Sequence, residues 1–195
     1  MPRQFLTPDF YARDTGVVAR ELLGKVLVRR INGEIACCRI VETEAYFSQH
    51  DPASHAARGR TKRNGVMFGP PGRAYVYFNY GVHHLFNVVT EVERTAGAVL
   101  IRAVEPVVGA PLLLANRPVA MIEQLTSGPG KLTQALAIDL SLNGKQLNTE
   151  ELGIIENGGG GFKIVAARRI GISAGGELDL RFYIENSPYV SRRCG

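Results

Sequence analysis

Residues 25–46 leave the chain little choice of structure. A short β-branched run, 25–31, is followed by Asn32-Gly33 and then by a second run from 34 to 46. Asn-Gly between two such runs is the strongest short signal for a two-residue hairpin turn, because both positions need a positive φ. The second arm of this hairpin is long, and its end reads Ile40-Val41-Glu42-Thr43-Glu44-Ala45-Tyr46. Successive side chains of a strand point to opposite faces, so Glu42 and Glu44 are expected on one face together with Ile40 and Cys38. Two carboxylates in such a run either meet water on an edge strand or line a cleft, and alternation alone leaves both open.

What surrounds this strand favours a cleft. Tyr46 is followed by His50 and His55 in a stretch, 47–73, rich in Ser, His, Asp, Pro, Arg and Gly. Irregular segments of this length in compact domains are usually functional. This one carries Arg58, Arg60, Lys62 and Arg63, a cluster that suits either a solvated face or contact with phosphates. A second hairpin is expected from 74–79 and 85–90, with Tyr75, Tyr77 and Asn79 alternating with Val76 and Phe78, and with Tyr80-Gly81-Val82-His83-His84 at its tip. A tyrosine on such a tip either packs a corner or acts as a wedge between bases. Arg102 stands in the apolar strand 98–104 and needs a carboxylate or phosphate partner, for which Glu44 is the candidate. A helix over 132–138 follows Ser127-Gly128-Pro129-Gly130-Lys131, a Gly-rich start bearing Lys131 that can hold a phosphate on its free N–H groups, although the spacing is not that of a Walker loop.

The remaining pattern is scaffold. Thr7-Pro8-Asp9 starts a helix, Thr15 caps a second one that runs to Leu23 and stops at Gly24, and 111–116 forms a short third. Strands are expected over 162–167 and 180–184, and Arg168-Arg169 and Arg192-Arg193 extend a basic surface. A chain of 195 residues without internal repeats fits one domain, 1–195. The formal charge of +5 moves nucleic acid up the list of partners. Cys37, Cys38 and Cys194 make no disulfide framework, and neither CxxC nor HExxH occurs, so no metal or other cofactor is expected. Without a run of ~18 apolar residues or a secretory signal, a cytoplasmic protein, nucleoid-associated in a bacterium, is expected.

Taken together, these residues resemble the alkyladenine DNA glycosylases, also called methylpurine- or 3-methyladenine-DNA glycosylases. The resemblance runs from about Leu22 to Ser191. It rests on residues 23–29 and 40–46, Met67-Phe68 before Gly69-Pro70-Pro71-Gly72, Tyr75-Val76-Tyr77, Tyr80-Gly81, Ser127 to Leu132, and Arg181-Phe182-Tyr183 with Ser187-Pro188. The order and spacing of these pieces are specific, while Phe78, Asn79, Val82, His83 and His84 depart from some relatives.

The resemblance implies a mixed α/β (α+β) fold, one compact domain around a curved antiparallel β-sheet with flanking helices and a protruding β-hairpin that enters DNA. It implies a monomer acting on double-stranded DNA with damaged purines, hydrolysing the N-glycosidic bond. Matched position by position, Glu44 is the general base and Arg102 lies near the water and backbone. Tyr46, His55, Tyr77 and Asn87 form the base pocket, and Tyr80 is the wedge. Glu42, on the same strand face, has no matching role. A buried base must leave the stack to be reached, and cationic alkylated purines gain from aromatic walls. No lysine falls on a matched catalytic position, so an abasic product without strand cleavage is expected. Two other readings use the same residues: a non-catalytic nucleic-acid-binding module, and a metal-dependent hydrolase built on Glu42, Glu44, His50 and His55.

Overall fold

The computed structural model describes residues 4–48, 50–79, 81–157 and 160–191. Among these residues, eight strands form one antiparallel sheet: β1 (Val26–Ile31), β2 (Glu34–Tyr46), β3 (Ala74–Asn79), β4 (His83–Thr90), β5 (Gly97–Val108), β6 (Leu152–Ile155), β7 (Ile164–Ala167) and β8 (Arg181–Ile184). Their order is β3-β4-β5-β2-β1-β6, and β8 joins β2 and carries β7. The long β2 is the centre. Its first half pairs with β1, its last part with β8, and nearly all of it with β5 on the other side. Four α-helices among the described residues flank the sheet: α1 (Pro8–Tyr11), α2 (Thr15–Glu21), α3 (Ala110–Asn116) and α4 (Pro129–Ala135). The result is the mixed α/β fold around a curved antiparallel sheet that the resemblance implies.

The first hairpin forms as its turn requires. Asn32 and Gly33 have φ of 51° and 88°, and Ile31 pairs with Glu34 across them. The strand beyond departs from simple alternation. Ile40 pairs with Val104, Glu42 with Ala103 and Thr43 with Ile101, so Val41 on β2 and Arg102 on β5 are each an extra residue. These bulges switch the face that β2 presents. Cys38, Ile40, Val41 and Ala45 all belong to the main core, so Glu42 and Glu44 do not share the face of Ile40 and Cys38 as alternation predicts.

Helix α2 covers the core face with Val18, Ala19 and Leu22, and the Ala19 carbonyl accepts from the Thr43 hydroxyl at 2.8 Å. Its cap is Asp14, which accepts from the Val17 N–H, and not Thr15. The Thr15 hydroxyl is buried and donates to Glu91 at 2.7 Å, next to Thr90, tying the helix start to the end of β4. Helix α4 buries Leu132, Thr133 and Ala135, and the Thr133 hydroxyl donates to the His84 carbonyl at 2.7 Å, which braces the second hairpin. Strand β6 has no forecast in the sequence reading. It is four residues long and contains Gly153, where a Cβ would strike the Phe5 ring and the Thr149 carbonyl.

Candidate active site

The segment between β2 and β3 is ordered by its own polar residues. Asn64, buried, donates to the carbonyls of His55 at 2.7 Å and Gly59 at 2.9 Å and accepts from the Thr61 N–H at 2.6 Å. Asp51 accepts from the N–H groups of Phe47 and Ala53. These knots leave Arg58, Arg60 and Lys62 exposed on the outside and turn Ala56 and Met67 inward.

On the inner side of this segment lies a cavity of about 670 Å³. Its lining includes Tyr46 from β2, His55, Tyr77 from β3, Asn87 from β4, Arg102 from β5 and Lys131 from α4. Six of the residues singled out in the sequence thus meet around one space, although they come from six places in the chain. Tyr77 stands edge-on to His55, with ring centroids 4.6 Å apart. The His55 Nδ1 is 2.9 Å from the Tyr75 hydroxyl, and Asn87 Nδ2 donates to the Tyr75 carbonyl at 3.0 Å. Partial burial, followed by the Arg63 charge, holds the His55 imidazole below its ordinary pKa. Burial pushes the Tyr75 phenol up to about 12, which keeps it a hydrogen-bond donor.

Glu44 sits immediately behind the wall. Its side chain is fully buried, yet each of its three hydrogen-bond donors lines the cavity. The Tyr46 hydroxyl donates to Oε2 at 2.8 Å, Arg102 Nη1 donates to Oε2 at 3.1 Å, and the Ile170 N–H donates to Oε1 at 2.8 Å. A carboxylate offers about four lone-pair sites, so these bonds leave room on Oε1 for one more donor. Burial raises the Glu44 pKa, and Arg102, the Ile170 N–H and the Tyr46 hydroxyl oppose that rise while Glu42 adds to it. The outcome is a carboxylate of more than ordinary basicity held in a fixed orientation.

Arg102 does find Glu44, and it is shared with Glu42: its Nε donates to Glu42 Oε1 at 3.1 Å. Glu42 also accepts from Arg181 Nη1 at 3.0 Å, from the Ser191 N–H at 2.7 Å and from the Ser191 hydroxyl at 2.9 Å. Both carboxylates are therefore bound to guanidinium groups and do not gather with His50 and His55. Among the described residues no group of three or more His, Cys, Asp or Glu side chains is placed to hold a metal ion.

Other expectations change. Arg63 is exposed like Arg58, Arg60 and Lys62, and it also touches the site: its guanidinium lies 5.1 Å from the Tyr77 ring centroid and its Nη2 donates to the Phe78 carbonyl at 3.3 Å. Arg168 is exposed but Arg169 is buried, so that pair is not a basic patch. Tyr80, Arg192 and Arg193 lie outside the described residues; next to Tyr80 on the hairpin, Phe78 and Val82 are exposed. Sequence reasoning missed Arg117, Gln134 and the 170–172 segment as cavity lining, buried Arg169 and Arg181 as partners of Asp51 and Glu42, and half-buried Ser191 as a further partner of Glu42. Charge type alone carried the only signal, since a backbone N–H such as that of Ile170 has none.

The family model for methylpurine-DNA glycosylases matches residues 9–188. The chain belongs to this family. Membership makes it a hydrolase of N-glycosyl bonds in DNA. Similar proteins named "Putative 3-methyladenine DNA glycosylase" include one from Carboxydothermus hydrogenoformans, 53% identical over 99% of both chains. One from Methanocella arvoryzae is 48% identical over 97% of this chain and 96% of its own. Another, from Prosthecochloris aestuarii, is 50% identical over 94% and 89%. No helix among the described residues is long and apolar enough to cross a membrane.

Proposed function

We propose that the protein releases alkylated or deaminated purines, among them 3-methyladenine, 7-methylguanine, hypoxanthine and ethenoadenine, from double-stranded DNA and leaves an abasic site without cutting the strand. The observation that carries this reading is the position of the Glu44 carboxylate directly behind an aromatic cavity, with all three of its donors facing that cavity. A duplex hides its bases, so the target nucleotide rotates out, at a cost of a few kcal/mol, and enters the cavity. Tyr80 at the hairpin tip is the proposed wedge that fills the vacated stack. Tyr46, Tyr77 and His55 enclose the purine, and a cationic base gains ~0.5–2 kcal/mol from the ring faces that a normal base lacks. Glu44 accepts a proton from the water that attacks C1′, and its negative charge stabilises the oxocarbenium-like sugar as the base departs. Arg102 holds the carboxylate toward the cavity. Lys131 at the cavity wall and Arg58, Arg60 and Lys62 outside it are the proposed phosphate contacts.

Glu44→Gln tests this directly. The variant keeps the shape but loses the basic carboxylate, so single-turnover release of free base from a duplex with one hypoxanthine should fall ~10²–10⁴-fold, with duplex affinity nearly unchanged. The loss should be smaller on 7-methylguanine, a cationic base that leaves with less help. A folded Glu44→Gln protein with full activity would reject the assignment, and strand nicking by the parent would reject the monofunctional reaction.

A further inference from the structure

A buried ion pair next to the cavity has no part in the steps above. Arg169 Nη1 and Nη2 bind Asp51 Oδ2 and Oδ1 at 2.6 and 2.7 Å, a bidentate pair with both side chains almost wholly shielded from water. The same two nitrogens donate to the carbonyls of Ala45 at 3.0 Å and Gly175 at 3.0 Å. The guanidinium lies 4.8 Å from the centroid of the Tyr46 ring. Asp51 in turn accepts the N–H groups of Phe47 at 3.0 Å and Ala53 at 3.1 Å.

This pair joins three pieces of backbone that line the cavity. Ala45 lies between Glu44 and Tyr46, Ala53 and His55 line the same cavity as Tyr46, and Ile170, which follows Arg169, donates to Glu44. We propose that Arg169, locked by Asp51, is a positioning residue for the reaction: it fixes the Tyr46 ring against the flipped base and aims the Ile170 N–H at the Glu44 carboxylate. The idea deepens the glycosylase reading and rests on it. Four of the five guanidinium N–H groups are used on four acceptors from three segments, and a lysine has one nitrogen to place among them. Gly175 shows how tightly the group is held: its φ is +66°, and a Cβ there would lie 3.2 Å from Arg169 Nη2 and 3.1 Å from Pro52.

The consequences extend to the ionisation of Glu44. That carboxylate is faced by Tyr46 and Glu42 from β2, Arg102 from β5, and Arg169 with the Ile170 N–H from the segment after β7; Arg181 from β8 reaches Glu42. Loosening the Arg169 segment removes one hydrogen bond to the charged form and moves one positive charge away. Glu44 then ionises at higher pH.

The test compares the parent with Arg169→Lys, which keeps the charge, and with Asp51→Asn/Arg169→Gln, which leaves no unpaired buried charge and so protects folding. Two quantities are read: the pH profile of single-turnover release of ethenoadenine from a duplex, and the pH titration of the Ile170 amide signal in ¹⁵N–¹H spectra without DNA. In both variants, release should fall ~10–100-fold, as for reacting groups displaced by about 1 Å. The acid limb should move to higher pH, and the Ile170 signal should weaken its response to Glu44 or follow the higher pKa. Parental rate, acid limb and Ile170 titration in a folded variant would overturn the proposal. A lower melting temperature alone, with all three unchanged, would make the pair a structural clamp and overturn it equally. Failure of the parent to release any base would instead refute the glycosylase reading, and the Ile170 titration would still decide whether Arg169 positions Glu44.

Discussion

The Tyr46 phenol donates to Oε2 of Glu44 at 2.8 Å, although the two residues are only two positions apart on one strand. The pocket wall and the carboxylate are therefore one unit, and the hydrogen bond opposes the rise in the Glu44 pKa that burial causes. Tyr46→Phe keeps the ring and removes this donor. The acid limb of base release should then shift to higher pH, because Glu44 must be ionised to act and has lost a partner of its ionised form. Single-turnover rates over pH measure this, and an unshifted limb would mean that the phenol does not tune the carboxylate. The effect on stability has its own sign. A carboxyl whose folded pKa lies above its unfolded value stabilises the protein most below the unfolded pKa. That contribution is lost as pH rises through the folded pKa, so unfolding midpoints should decline across that window.

Glu42 is a different case from Glu44 despite their proximity. It accepts from Arg102, Arg181 and Ser191 and is fully buried, so it holds β2, β5, β8 and the chain beyond β8 together. Removing its charge breaks the buried ion pairs with Arg102 and Arg181, at a cost of about 3–5 kcal/mol. Glu42→Gln should therefore lower the denaturant midpoint far more than Glu44→Gln. Equal midpoints would show that Ser191 and the remaining hydrogen bonds suffice.

The same contrast shows what can be read from the sequence. Alternation places Glu42 and Glu44 on one face, and the apolar setting of Arg102 correctly demands an acid nearby. Their difference depends on Arg181 and Ser191, which lie 139 and 149 residues from Glu42 and reach it only through the β2–β8 pairing. The two hairpins were legible because Asn32-Gly33 and the runs around Gly81 are local signals. Strand β6 and the face change after Ile40 were not, since one is only four residues long and includes a glycine, and the other arises from bulges that depend on the partner strand. Arg169 reads as surface charge in sequence because its neighbour is another arginine; its acceptor Asp51 belongs to a distant loop.

Asn87 should govern which neutral purines are accepted. Its amide is tied to the Tyr75 carbonyl at 3.0 Å and lines the cavity, so it cannot easily turn aside for an added group. If a purine 2-amino group would collide there, Asn87→Ser opens space for it. The ratio of guanine to hypoxanthine release should rise in this variant, as competition between two labelled duplexes would show. An unchanged ratio would mean that another wall excludes the amino group.

The cations of the 47–73 segment should fall into two groups. Arg58, Arg60 and Lys62 are exposed, and their proposed role is to neutralise phosphates, which releases condensed counterions on binding. Each replacement by alanine should reduce the slope of log affinity against log salt by up to about 0.9 and leave the single-turnover rate at saturating protein unchanged. Arg63 is adjacent in sequence but lies against the Tyr77 ring and the Phe78 carbonyl, and its charge helps to hold the His55 pKa down. Its loss should act inside the pocket: Arg63→Ala raises the His55 pKa, so a larger fraction of the imidazole is protonated at mildly acidic pH. A protonated His55 repels a cationic base, and release of 7-methylguanine should fall more steeply with acid in the variant than in the parent. Matched salt titrations and pH profiles on one 7-methylguanine duplex separate the two effects. A change in salt slope alone for Arg63→Ala would place it with the phosphate contacts.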